Sequence, residues 1–229
     1  MVAAMTTAQA FYTRWAWLYD IISAKIPGVG LIRRAAIDHL GVAPGDTVVE
    51  MGCGTGANLP YLREQVGTDG TVIGIDFSPG VLTLAADRID RHGWENVHLI
   101  RADATQPPLS PVEDGSQVDV IFSSFVSGMV DDPASMVDRW AAIVGEGGTV
   151  GLLDLARSSS IGGTFINPLF SAVVRATSPP AAARDSAAID RLDQRVAAAH
   201  ARLHTKAQTP RYETRACGFI RISSVTIEE

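Results

Sequence analysis

Residues 48–62 read VVEMGCGTGANLPYL, and the fold is decided in this stretch. A short apolar run carries Glu50 near its end, Gly52, Gly54 and Gly56 fall at alternate positions, and a helical pattern begins. A strand that passes through alternate glycines into a helix is a strand–turn–helix unit. Glycine in such a turn lets the backbone bend tightly and approach a ligand without interference from Cβ.

Working outward, the chain alternates short β-branched runs with amphipathic helices. The strands read are Thr47 to Met51, Thr71 to Asp76, Asn96 to Ile100, Val118 to Ser124 and Gly148 to Leu155. Each is apolar throughout, as strands covered on both faces are. Ser78-Pro79 and Asp132-Pro133 each supply an N-cap and a first-turn proline to the helix that follows, and Gly145 closes the second of these helices. Three prolines between Ala104 and Val118 predict a loop there. The alternation predicts an α/β fold: a Rossmann-like, doubly wound, mostly parallel sheet of six or seven strands with helices on both faces. The 229 residues suit one domain. Its parts are an N-terminal helical cap (1–44), a ligand-binding core (45–155), and substrate-side helices with a C-terminal strand (156–229).

The flanks are helical. Before residue 45, Phe11, Trp15, Leu18 and Ile22 recur at helical spacing, and a second helix runs through Ile32, Ala36 and Leu40. After Leu155, Ser158 to Gly163 reads as a flexible connection and Asn167-Pro168 opens an apolar helix. A polar helix spans about Ser186 to His204, and the strand FIRISSVTI lies near the end. Either an earlier stretch such as RYETRA is a further strand beside it, or the sheet is one strand short.

Composition excludes several classes. A net charge of −6 with no basic stretch argues against a nucleic-acid surface. No run of about eighteen uncharged apolar residues exists, and the N-terminus lacks the basic region of a signal peptide, so a cytoplasmic location is expected. Cys53 and Cys217 form no Cys-x-x-Cys and are expected to be free thiols. His200 and His204 have a spacing that suits a metal, but no third ligand is in view. They are read as a solvated helix face, and no metal is expected.

The glycine loop admits two ligands. Gly52, Gly54 and Ala57 satisfy the dinucleotide pattern G-x-G-x-x-A, which would make the chain an NAD-dependent oxidoreductase. No Tyr-x-x-x-Lys or similar hydride-transfer set accompanies it. Glu50 before the first glycine would repel a pyrophosphate but attract an ammonium group. Gly56 adds a glycine that the dinucleotide pattern does not require. Two more acidic strand ends follow in order. Asp76 closes TVIGID, where a carboxylate can accept from both ribose hydroxyls. Asp103, in RADA, lies where its side chain can meet an adenine amino group, although a loop-capping role would also explain it. The three together favour a nucleoside sulfonium.

At these residues the chain resembles the class I S-adenosylmethionine-dependent methyltransferases, closest to the ubiquinone/menaquinone-biosynthesis and the phospholipid and small-molecule types. The resemblance runs from about Tyr19 to Leu155 and rests on E-x-G-x-G-x-G (Glu50 to Gly56), GIDFS (Gly74 to Ser78), Asp103-Ala104 and VIFSSF (Val120 to Phe125). It implies S-adenosyl-L-methionine as cofactor. Glu50, Gly52, Gly54, Thr55 and Gly56 would line the methionine end, Asp76 would hold the ribose, and Phe77 would cover the adenine. Asp103 and Ala104 would meet the adenine edge, and Ser124 would sit beside the reacting methyl. Tyr19 would close the site from above, with core packing an equal reading of it. No catalytic base announces itself, and a non-catalytic cofactor-binding relative is the remaining alternative. The apolar residues between Ile161 and Val174, Phe165 and Phe170 among them, suggest a pocket for a small lipophilic acceptor. At most a weak peripheral membrane contact is expected from them.

Overall fold

A computed structural model of the chain describes residues 28–110, 118–177, 185 and 187–228. The N-terminal helical pattern, Tyr19, Pro111, Pro179 and Pro180 lie outside these residues. Strands β1 (Thr47–Met51), β2 (Thr71–Asp76), β3 (Val97–Arg101), β4 (Val120–Ser124), β5 (Thr149–Leu155), β6 (Arg211–Arg215) and β7 (Ile220–Thr226) form one sheet in the order β3-β2-β1-β4-β5-β7-β6. β1 to β5 are parallel, and β7 runs antiparallel to both β5 and β6. Of the two alternatives for the closing edge, the sheet takes the antiparallel hairpin, with RYETR as its outer strand.

Alternation along each strand feeds two cores. Val48, Val72, Val120 and Phe122 point to one face, with Ile37 of helix α1 (Val29–Asp38), Leu62 of α2 (Leu59–Val66) and Ala85 of α3 (Pro79–His92). Val49, Met51, Ile121 and Leu152 point to the other, with Trp140 of α4 (Pro133–Val144) and Leu203 of α7 (Ala188–His204). Asp132 caps α4 by accepting from the Ser135 N–H at 3.1 Å. Ser78 does not cap α3 through its side chain; its own N–H goes to Asp76 Oδ1 at 2.9 Å.

After β5 the connection is pinned, contrary to the expected flexible segment. The hydroxyls of Ser158 and Ser160 both donate to the carbonyl of Cys217 at the β6–β7 turn (2.5 and 2.7 Å), and Asn167 brackets the backbone of Ser158 from both sides. Helices α5 (Ile161–Thr164) and α6 (Asn167–Thr177) follow from this anchor. Cys53 is buried and Cys217 exposed, both free thiols. No helix among the described residues is long and apolar enough to cross a membrane.

Candidate functional site

The sheet order reverses between β1 and β4, and in open α/β sheets the crevice outside the strand ends at such a point takes the ligand. β1 leaves the sheet there. The N–H groups of Gly52 and Cys53 both donate to the Ile75 carbonyl (2.7 and 3.0 Å), which ties the glycine loop to β2. Gly52, Gly54 and Gly56 all have positive φ (71°, 54° and 74°). A Cβ on Gly52 would meet Val126 Cγ2 at 2.4 Å, and one on Gly56 would meet Leu59 Cδ1 at 2.6 Å, so packing and backbone both demand glycine. At Gly54 nothing lies within 4 Å of such an atom, and the loop is open on that side.

Asp76 ends β2 beneath this loop. Its Oδ2 accepts from the Gly54 N–H at 3.0 Å and its Oδ1 from the Ser78 N–H at 2.9 Å. Burial pushes its carboxyl above the usual range, and the backbone N–H groups of Ser78, Gly54 and Phe77 pull the other way. A carboxylate oxygen has a second lone pair, so each can still accept from a ligand. Phe77, exposed, follows directly. Beyond β3, Asp103 Oδ1 accepts from both the N–H and the hydroxyl of Thr105 (each 2.8 Å), a loop cap that leaves the residue at the exposed strand end. The Ala104 carbonyl is taken by Trp140 Nε1 at 2.8 Å.

Glu50 is fully buried. Its Oε1 accepts from Asn58 Nδ2 at 2.5 Å, while Oε2 has no hydrogen-bond partner among the described residues. Burial pushes its carboxyl up to about 7, opposed by the Asn58 bond and the Arg33 charge and aided by Asp76. Asn58 Nδ2 also donates to Ser124 Oγ at 2.8 Å, and Asn58 Oδ1 accepts from Arg33 Nη1 at 2.6 Å. Arg33 lies over the Phe125 ring, 5.6 Å from its centroid, and Phe125 is held at a left-handed φ of 62°. Such strain in a non-glycine residue clusters at ligand sites.

The sequence reading thus placed Glu50, the loop, Asp76, Phe77, Asp103, Ala104 and Ser124 on one rim of the sheet. It missed Arg33, Asn58 and Phe125. Asn58 was legible in principle, as a polar residue where the helix after the loop must turn its first side chains inward. Arg33 was not, because its partner lies 25 residues further on.

The two expected substrate residues described here do not converge. Phe170 packs against Phe219 with ring centroids 5.0 Å apart and planes tilted by 34°. Phe165 is 84% exposed, beside Ile161 at 87% and Leu169 at 66%. The histidine pair departs from its expected solvated face. His200 is buried between Asp154 and Ser223, and His204 shares Ser223 with it. The described residues contain no cluster of three or more metal-binding side chains.

Comparison with known proteins agrees with this geometry. Residues 48–148 match a family model described as a methyltransferase domain. The chain is 28% identical over 154 residues to the 2-phytyl-1,4-naphtoquinone methyltransferase of Thermosynechococcus vestitus, covering 66% of each chain. It is 29% identical over 174 residues to the nocamycin O-methyltransferase of Saccharothrix syringae, covering 75% of this chain and 60% of that one. The matches thus span less than two thirds of these relatives' lengths. A SAM-dependent methyltransferase from Aquifex aeolicus shares the fold, with a TM-score of 0.59 at 17% identity over 92% of this chain and 98% of that one. The match over 48–148 contains the glycine loop, both acidic strand ends and the switch point, and this part of the chain is similar to a methyltransferase domain.

Proposed function

We propose that the chain transfers the methyl group of S-adenosylmethionine to a small lipophilic acceptor. The observation that carries the cofactor part is Glu50, a buried carboxylate with one oxygen unpartnered beside a glycine loop that is open at Gly54. A buried charge in that state calls for a cationic donor, which the ammonium of the cofactor's methionine provides. In this reading Glu50 and the Gly52–Gly56 loop with Thr55 hold the methionine end, Asp76 the ribose hydroxyls, Phe77 the adenine face, and Asp103 with Ala104 its edge. Ser124, fixed by Asn58, stands beside the reacting methyl.

Bound there, the cofactor supplies an activated methyl and a neutral thioether leaving group. Held by Glu50, Asp76 and the glycine loop, it would give its methyl to the acceptor's lone pair with the thioether as leaving group, any acceptor proton going to solvent. The chain's share is alignment and exclusion of water, which is worth several kcal/mol. Asp76→Ala is expected to weaken S-adenosylhomocysteine at least tenfold, since it removes charge-assisted bonds worth about 1.5–3 kcal/mol. Unchanged affinity in calorimetry, with the fold intact, would contradict the assignment.

The acceptor reading rests on Ile161, Phe165 and Leu169, large apolar side chains exposed on α5, α6 and the turn between them, at the carboxyl-end rim beside the β6–β7 turn. An exposed apolar group of this kind marks a binding surface. Relatives named for a naphthoquinone and for nocamycin fit the same class of acceptor. With a naphthoquinol as probe, the Phe165→Ser/Leu169→Ser double variant should lose at least tenfold in turnover. Its melting temperature and cofactor affinity should stay within error, because exposed side chains contribute little to stability. Equal turnover in the two proteins would exclude this surface as the acceptor site.

A further inference from the structure

Beyond β4 the chain turns at once. Residues Ser127–Met129 form a single 3-10 turn, closed by the Met129 N–H donating to the Val126 carbonyl at 2.8 Å. Just before it, Phe125 sits at a left-handed φ of 62°, with its N–H held by the Leu153 carbonyl at 2.8 Å. A non-glycine residue keeps such a backbone only where its surroundings over-determine it. The Leu153 carbonyl is one restraint, and a second acts on the turn.

That second restraint is helix α7. Gly128 meets it so closely that a Cβ there would lie 3.0 Å from Leu192 Cγ and 3.5 Å from Val196 Cγ2. Arg195 lies between these residues, and the spacing puts all three on one helix face. Its Nη1 donates to the Gly128 carbonyl at 3.4 Å and its Nη2 to Asp131. The turn is thus gripped at its middle and just past its exit. This half of α7 is tied to the exit of β5 by Arg157, whose N–H donates to Asp193 Oδ1 at 2.9 Å and whose guanidinium pairs with Asp190 and Asp193. It has that anchor apart from His200, further along the helix.

The turn's other contact is with the glycine loop, where Val126 Cγ2 fills the space a Cβ on Gly52 would need. Val126 and Gly128 belong to one closed turn, so a displacement at Gly128 carries Val126 with it. We propose that α7 is the brace that holds the turn after β4 against the glycine loop, and that Gly128 and Arg195 are positioning residues of the cofactor site. The proposal rests on the reading that this loop holds S-adenosylmethionine. Neither residue touches the ligand in it; both act through Phe125 and Val126 on Gly52.

The test is calorimetry with S-adenosylhomocysteine, beside thermal melting, on variants of the full chain. Gly128 has no left-handed φ, so an alanine there is opposed by Leu192 alone. Gly128→Ala should weaken S-adenosylhomocysteine about tenfold, as expected of a site whose competent form is populated roughly a tenth of the time. Adding Leu192→Ala removes the atoms that the new methyl meets. In Gly128→Ala/Leu192→Ala the affinity should return to within about threefold of wild type, while the melting temperature falls below that of Gly128→Ala because a packed leucine has been cut back. A merely structural role would move both readouts the same way. Arg195→Met keeps the side-chain stem and loses the fork; it should weaken the ligand about threefold to tenfold with a melting temperature within about 4 °C of wild type. Wild-type affinity in Gly128→Ala or in Arg195→Met overturns the proposal. So does a double variant that binds no more tightly than Gly128→Ala. Should Gly128→Ala fail to fold, Arg195→Met decides alone. A wild type that does not bind S-adenosylhomocysteine overturns the cofactor-site reading, and the proposal with it, before any variant is made.

Discussion

Glu50→Gln is expected to make the unliganded protein more stable at pH 8 and to weaken binding of S-adenosylhomocysteine at least about thirtyfold. The first effect follows from burial. The Glu50 carboxyl is pushed from 4.5 up to about 7 because desolvation of the charged form outweighs the Asn58 bond and the Arg33 charge. The folded state therefore holds the Glu50 proton more tightly than the unfolded chain does. The stability this group contributes is full below about pH 4.5 and is lost as pH rises through about 7. At one pKa unit per 1.36 kcal/mol, the ionised side chain has forfeited on the order of 3 kcal/mol by pH 8. Glutamine cannot ionise, and its carbonyl can still accept from Asn58 Nδ2. The variant should melt roughly 6–12 °C higher at pH 8, at about 2–4 °C per kcal/mol for a chain of this size. The gap should shrink to about 2 °C at pH 5. A variant that melts lower than wild type at pH 8 would show that Arg33 and Asn58 more than offset the desolvation.

The second effect carries the opposite sign. An ammonium brought against Oε2 stabilises the ionised form, so cofactor binding near pH 7 should release a proton from Glu50. The affinity of the wild type should weaken as pH falls below about 7, whereas any residual affinity of Glu50→Gln should be flat. Truncating one member of a buried charge pair costs about 2–5 kcal/mol, or roughly thirtyfold to several thousandfold in affinity. Calorimetry in buffers of different ionisation enthalpy counts the released proton directly. Under the proposed function, the two expected effects together make Glu50 a residue that trades stability of the free protein for affinity, the usual relation at a strained functional site.

What the sequence disclosed and what it withheld divide along the range of the interactions. β1 to β5 were legible because parallel strands covered on both faces are continuous apolar runs, and the first-turn prolines of α3 and α4, with the Asp132 cap of α4, are local signals, although Ser78 does not cap α3 as expected. β6 was faint because it is the edge strand. Arg211, Glu213 and Arg215 are polar, and Tyr212 is exposed, the pattern by which edges avoid pairing with other chains. The glycine loop and Asp76 could be read because the motif is local and joined to neighbouring strands. Arg33 and His200 could not be read, since each has the composition of a solvated helix face and is made buriable by partners 23 to 46 residues away. The apolar density of residues 161–174 was visible, but hydropathy alone does not say that Phe170 turns to Phe219 while Phe165 turns outward.

Asp154→Ala is expected to cost about 1–3 kcal/mol of folding stability, and a melting temperature lower by roughly 2–12 °C, without weakening the cofactor in the folded protein. Asp154 lies one residue before the end of β5 and is almost completely buried, with His200 Nε2 3.2 Å from its Oδ2. His200 Nδ1 is 2.7 Å from Ser223 Oγ, and His204 Nε2 is 2.8 Å from the same oxygen. With the Asp154 carboxylate accepting, one assignment keeps both rings neutral. His200 donates to Asp154 through Nε2–H and accepts the Ser223 hydroxyl proton at Nδ1, while His204 donates to Ser223 through Nε2–H. Every group in this line depends on the one before it, and together they join β5, β7 and α7. Removing the carboxylate leaves the inner ring nitrogen facing a void. It also forces either an unsatisfied N–H or a reversal of the whole line, each a buried polar group without a partner. Asp154→Asn keeps an acceptor for Nε2–H and should cost markedly less than Asp154→Ala. In Asp154→Ala/His200→Ala the two losses should fall short of their sum by about 0.5–3 kcal/mol, the coupling expected of neighbours in one network. Cofactor affinity should be unaffected, because the line lies on the α4 and α7 side of the sheet whereas Glu50 faces α1 and α2. Urea denaturation of these three variants and of His200→Ala at pH 7 measures all of this. An Asp154→Ala protein within about 1 kcal/mol of wild type would show that the histidines are held by packing and the hairpin alone.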